Sequence, residues 1–258
     1  MRTAAVVNLK GGVAKSTTAI NMALILTTVH KKRVLLVDND IQANVSKFFS
    51  VHSYEHKSME DVLRDGEAIA EDVIRSSGRY GLDIIPANMN MDAAAVDLML
   101  DQEASQLTRL REVLNQVEDY YDYCFIDCPP GVGINVLNAL AAANDVIIPI
   151  KADKNALDGM EELAEVIEEI RPYNPGLSLV KRLVTMFTND VDVVKGEEAL
   201  QKSEYSTFNT HIRFSKRVNS WTYEKGKSLV EVTPRSAATK DYKSLVLEYI
   251  DLTGVKRA

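Results

Sequence analysis

Fourteen residues near the start of the chain, VVNLKGGVAKSTTA (residues 6–19), constrain the fold more than any other stretch. An apolar run stops at two glycines, and a lysine and three hydroxyl residues follow where a helical pattern begins. Adjacent glycines let the backbone turn tightly and approach a ligand closely. Successive N–H groups can then face inward while the following helix offers its positive N-terminus, and a loop holds phosphate in this way. In that geometry Gly11, Gly12, Val13 and Ala14 form the cradle and Lys15 reaches the terminal phosphates. Ser16 ligates magnesium, and Thr17 bonds a further phosphate oxygen. A glycine-rich turn with a chance lysine is the plain alternative. The strand before, the Lys-Ser pair and the helix after speak against it.

The rest of the chain repeats that strand-then-helix order. Residues 3–9, 33–38, 82–86, 123–127, 146–150 and 178–186 are short apolar runs without clean alternation, as expected of strands buried on both faces. Between them Ala19, Met22, Ala23 and Leu26 recur at helical spacing, as do Leu157, Met160, Leu163, Ala164 and Ile167. Alternation of this kind predicts an α/β fold with a mostly parallel central sheet covered by helices on both faces. No repeat or Pro/Gly-rich linker divides residues 1–258, so a single domain is expected. Residues 203–235 read largely as loop.

Ligands in such sheets bind at the carboxyl ends of strands. Three polar clusters fall there: residues 10–18, 38–44 (DNDIQAN) and 127–133 (DCPPGVG). An Asp at a strand end is commonly a cap or turn former. Three clusters after three strands, one an apolar run ending in Asp127, are more than that.

The loop departs from the ordinary G-x-x-x-x-G-K-[ST] pattern, because Leu9 and Ala14 stand where it has glycines. What stands here, K-G-G-V-A-K-S-T, resembles the deviant phosphate loop K-G-G-x-G-K-[ST] of the ParA/MinD family of dimerising P-loop ATPases. The D-x-D-x-Q-x-N spacing of Asp38, Asp40, Gln42 and Asn44 and the D-x-P-P-G of Asp127–Gly131 match that family too. Ile41 and Ala43 replace its common proline and glycine. The resemblance covers nearly the whole chain. It implies ATP and Mg²⁺ as cofactors and slow hydrolysis stimulated by a partner. It implies that Lys10 crosses a dimer interface to the other subunit's phosphates, comparable to an arginine finger. Asp40 then positions the attacking water, Asp38 supports the magnesium shell, and Asp127 holds the ion through water. Pro129, Pro130 and Gly131 form a switch. Alanine at position 14 costs roughly 1 kcal/mol or more if φ there is positive.

Charge is unevenly spread. Residues 1–170 carry 15 Lys and Arg against 27 Asp and Glu, and residues 171–258 carry 15 against 10. Ordinary surface variation is one reading; a basic face that attracts polyanions is the other. Partition members of the family bind DNA without sequence preference through a related stretch. Arg213, Lys216, Arg217, Arg235 and Lys240 are the candidate DNA contacts, by phosphate pairing that salt would weaken. Trp221 reads as a packing residue. A last helix over residues 237–252 carries Leu245, Val246, Tyr249, Ile250 and Leu252 beside Asp241, Glu248 and Asp251, which suits docking on the sheet. Only Lys256 and Arg257 follow, so a basic membrane-binding helix is not expected.

No run of about 18 apolar residues and no signal peptide is evident. Two cysteines make no disulfide framework, and Cys128 has too few partners for a metal centre. A cytoplasmic, nucleoid-associated protein is expected. With its first strand starting near residue 3, no N-terminal helix-turn-helix extension is expected. The resemblance implies an ATP-bound homodimer, non-specific duplex DNA and a ParB-like centromere-binding partner. Positioning of a protein cargo and a metabolic ATP-dependent enzyme of related fold remain as alternatives.

Overall fold

The apolar runs pair side by side because each buries both of its faces. The computed structural model describes residues 1–101, 106–152, 158–203, 206–222 and 224–254. The strands are β1 (Arg2–Val6), β2 (Val34–Asp38), β3 (Arg75–Arg79), β4 (Leu82–Ile85), β5 (Tyr123–Asp127), β6 (Asp145–Lys151) and β7 (Leu179–Thr185). They form one sheet in the order β3-β4-β2-β5-β1-β6-β7. All pairings are parallel except that of β3 with β4.

Alternation along each strand feeds two cores. Ala5, Leu35, Val37, Cys124, Ile126, Val146 and Ile148 face one; Ala4, Val6, Val34, Leu36, Tyr123, Phe125 and Ile147 face the other. Among the described residues the first is covered by α3 (Met59–Arg64), α4 (Ala70–Val73), α5 (Met91–Leu100), α6 (Arg109–Asn115), α7 (Ile134–Ala142), α8 (Asp158–Ile170) and α9 (Val191–Lys202). The second is covered by α1 (Lys15–Thr28), α2 (Asn44–Phe48), α10 (Lys216–Trp221), α11 (Leu229–Val232) and α12 (Ala237–Thr253). Buried residues surround nearly the whole circumference of α1, as befits a helix held between the sheet and α12. On α12, Leu245, Val246, Tyr249 and Ile250 are buried, whereas Leu252 is 46% exposed. Each large side chain so buried contributes roughly 1.5–3 kcal/mol. The Tyr249 hydroxyl also donates to Asp145, which Arg2 pairs from β1.

Two expectations change. β1 ends at Val6, and residues 7–9 already belong to the loop. The Val7 N–H still bonds Ile147 of β6, but Asn8 then turns the chain into the loop, its side chain donating to the Pro149 carbonyl and accepting from the Lys10 N–H. The strand β3, RSSGR, was not expected: it is a polar sheet edge paired on one side, and Gly81 (φ +77°) turns it into β4. The described residues between 203 and 235 are mostly irregular, as expected. Arg182 and Phe187 of the β7 side bridge Thr207 and Arg213, and α10 and α11 are short. The helical spacing expected at Leu157, and the charges of Lys256 and Arg257, lie outside the described residues. Among the described residues no helix is long and apolar enough to cross a membrane.

Candidate functional site

Sheet order brings the three polar clusters together, because β2, β5 and β1 are neighbours and their carboxyl ends lie side by side. Asp38 and Asp127 are register partners, as are Val6 and Asp127. The loop after β1 therefore stands beside both acidic strand ends.

The loop is held from several sides. The Val13 carbonyl accepts from Thr185 Oγ1 (3.0 Å), and Leu9 O accepts from the Gly131 N–H (3.2 Å). That second bond ties the phosphate loop to the Pro129–Gly131 segment. Gly12 has φ +69°, a conformation that favours glycine. A Cβ added at Gly11 or Gly12 would meet nothing in the protein, so the concave side of the loop is open for a ligand. Ala14 caps α1 at φ 71°, ψ 33°, so this alanine does occupy the left-handed region. Ala43, the other site where the family resemblance has glycine, caps α2 at φ 52°, ψ 41°.

Lys15 is buried, and its ammonium donates to two carbonyls of its own loop, Asn8 (3.1 Å) and Lys10 (2.9 Å). Burial lowers its pKa, opposed by Asp127, Cys128 and Asp40. Asp38 is fully buried: one oxygen accepts from the Ser46 N–H (2.7 Å) and hydroxyl (2.6 Å) at the start of α2. Burial pushes its pKa up to about 6 despite those bonds. Asp40 Oδ1 accepts from the Gln42 N–H (2.9 Å) in a local turn.

Asp127 differs from both. Its two oxygens are buried and make no hydrogen bond. Burial raises its pKa well above the carboxylate range, Asp38 adds to the rise, and the Lys15 charge opposes it. An orphaned carboxylate beside a hydroxyl and an open phosphate cradle fits a divalent cation. Among the described residues no three His, Cys, Asp or Glu side chains could hold a metal by themselves, so a ligand's own oxygens would have to complete the shell.

A cleft of about 580 Å³ runs from Gly11, Gly12 and the first turn of α1 past Asp40 and Pro130. Its far wall is Phe48, Trp221, Thr222 and Lys225. Trp221 is 1% exposed and packs 4.9 Å from Phe48, so it is a packing residue, and it also bounds the cleft. No local motif marks Phe48 or Lys225; the fold brings them there from other parts of the chain. Two reciprocal amide bonds, Asn39 Nδ2 to Asn135 O (2.9 Å) and Asn135 Nδ2 to Asn39 O (3.1 Å), join the β2 loop to α7.

The basic candidates separate. Arg213 makes an ion pair with Asp241 of α12 (2.6 Å). Lys216, Arg217, Arg235 and Lys240 are exposed and make no ion pair among the described residues. None of the five lines the cleft.

A strand, a glycine loop capping a helix and acidic ends on neighbouring strands define a P-loop NTPase. The family model described as "AAA domain" matches residues 1–179. The chain is 32% identical over 257 residues to the chromosome-partitioning ATPase Soj of Treponema pallidum, covering 98% of each. It is 31% identical over 248 residues to the sporulation initiation inhibitor protein Soj of Bacillus subtilis, covering 95% of this chain and 96% of that protein. It also superposes on cobyrinic acid a,c-diamide synthase from Mycobacterium smegmatis with bound ADP and magnesium, with TM-score 0.82 and 25% identity over 100% of this chain and 97% of the other. The chain belongs to the AAA domain family and, within it, to the ParA-type partition ATPases.

Proposed function

We propose that this ATPase is a switch: with ATP and Mg²⁺ it pairs with a second copy of itself and binds duplex DNA without sequence preference. A ParB-like, centromere-binding partner then stimulates hydrolysis and release. Residues 1–258 act as one ATPase domain, in the cytoplasm on the nucleoid. The observation that carries this reading is the position of α10. Its first residues, Lys216 and Arg217, are exposed and basic, and its last, Trp221, walls the cleft. One short helix thus joins the nucleotide site to a DNA-facing surface.

In this reading the loop N–H groups and Lys15 hold the phosphates, and Lys15 exchanges its bonds to the Asn8 and Lys10 carbonyls for phosphate oxygens. Ser16 and Asp127 would hold magnesium, with Asp38 behind them; the ion supplies charge neutralisation at the terminal phosphates. Asp40 orients the attacking water, and Thr17 bonds a further phosphate oxygen. The Pro129–Gly131 segment senses the terminal phosphate and passes its state to the loop through the Gly131–Leu9 bond. Lys10 completes the site of the other subunit. Lys216, Arg217, Arg235 and Lys240 contact DNA phosphates, with Arg213 bracing the same surface on α12.

The likeness to a diamide synthase favours a second reading, a small-molecule enzyme of the same fold. Light scattering separates the two. The switch reading expects a dimer with ATP and Mg²⁺ and a monomer with ADP. It also expects Lys10→Ala to lose the dimer while the monomer still binds nucleotide. Unchanged dimerisation and turnover in Lys10→Ala would remove the trans lysine, and a wild-type protein that stays monomeric with ATP and Mg²⁺ would remove the switch.

A further inference from the structure

We propose that Lys225 is a phosphate-sensing arm: it contacts the terminal phosphate of the nucleotide in its own subunit and so ties the basic segment to the nucleotide state. This rests on the nucleotide reading above. Lys15, Lys47 and Lys225 line the cleft with Asp40 as its one carboxylate among the described residues. Lys15 is opposed by Asp127 as well as Asp40, and Lys47 and Lys225 add two further ammonium groups to the cleft, a charge that a polyphosphate relieves.

The three lysines are not equivalent. Lys15 is bonded to its own loop, and Lys47 Nζ donates to the Gln42 carbonyl (2.7 Å). The nearby Lys227 is taken up by Glu224 (2.9 Å). Lys225 makes no hydrogen bond or ion pair among the described residues. The backbone just after it, by contrast, is held by two bonds. The Trp221 indole N–H donates to Lys227 O (2.6 Å), and Arg79 Nε donates to Gly226 O (2.6 Å). Arg79 also grips both oxygens of Glu231 (2.9 Å each). A flexible four-carbon ammonium can swing across the cleft, and its turn, tied to Trp221 by the indole bond, carries the pull to that residue. Asp40 and Pro130 line the same cleft, so a Lys225 side chain that reaches across from the far wall meets the last phosphate of a triphosphate, which a diphosphate lacks. Once engaged it pulls on the turn next to Trp221, the last residue of the helix that carries Lys216 and Arg217.

The test uses fluorescent ATP and ADP analogues with Mg²⁺, and duplex DNA across a salt series. Lys225→Ala is expected to bind the ATP analogue about tenfold more weakly, the scale of one lost charge-assisted hydrogen bond, with ADP affinity unchanged. Lys225→Arg is expected to restore it. At saturating ATP the salt slope of DNA binding should stay at the wild-type value. Equal loss for ATP and ADP, or no loss, overturns the proposal. So does a slope reduced by about one with ATP affinity intact, since that makes Lys225 a DNA contact. A wild-type protein that binds no ATP overturns this proposal and the nucleotide reading together. Wild-type ATP binding beside an unaffected Lys225→Ala overturns this proposal alone.

Discussion

Ala14→Gly is expected to stabilise the nucleotide-free protein. Position 14 holds φ 71°, ψ 33° as the cap of α1. There a Cβ crowds the neighbouring carbonyl, at roughly 1–2 kcal/mol. Glycine removes that strain but adds about 0.4–1 kcal/mol of unfolded-chain entropy to be lost on folding. The net is about 0.5–1 kcal/mol of stabilisation, which for a chain of this size raises the melting temperature by about 2 °C. Ala43→Gly is the internal control. It shares the left-handed backbone (φ 52°), but its methyl is wholly buried. Losing that contact costs about 0.8 kcal/mol, so the gain there should vanish. Urea unfolding with an unchanged m-value measures both. A loss of about 1 kcal/mol in Ala14→Gly, as in an ordinary helix interior, would refute the assignment of strain to this loop.

Two further outcomes follow from the charges. Asp38 has its carboxyl pKa raised to about 6 by full burial, so the stability it contributes is present below its unfolded value near 4 and is lost as pH rises through 6. Without metal or nucleotide, Asp38→Asn should therefore gain about 1.4 kcal/mol on wild type between pH 5 and pH 8; a constant difference in unfolding free energy across that range would contradict it. Lys216→Ala should lower the salt slope of DNA binding by about one, whereas Arg213→Ala, whose charge is already met by Asp241, should lower it far less. Equal slopes for the two variants would place Arg213 on the DNA.

The parts of the site that were legible in the sequence are those whose residue types are tied to one local job. Gly12, Lys15 and Ser16 lie within about one turn of each other. Asp38 and Asp127 end strands whose apolar character marks them. The parallel sheet was legible for the same reason: residues buried on both faces leave unbroken apolar runs. What was not legible came from edges and from distance. RSSGR has no apolar run because it sits at the rim of the sheet. Phe48, Trp221 and Lys225 meet the phosphate loop only after α10 docks beside α2, a contact between segments far apart in the chain. Arg213 looked like an open cation, and only the fold reveals Asp241 against it.

Fluorescence anisotropy with a random-sequence duplex, compared in ATP, ADP and no nucleotide across a salt series, is the decisive measurement of the switch. Binding is expected with ATP and Mg²⁺ alone, lost steeply as salt rises. Binding that is equal in all three states, or absent in all three while ATP is bound, would contradict a nucleotide-gated DNA switch.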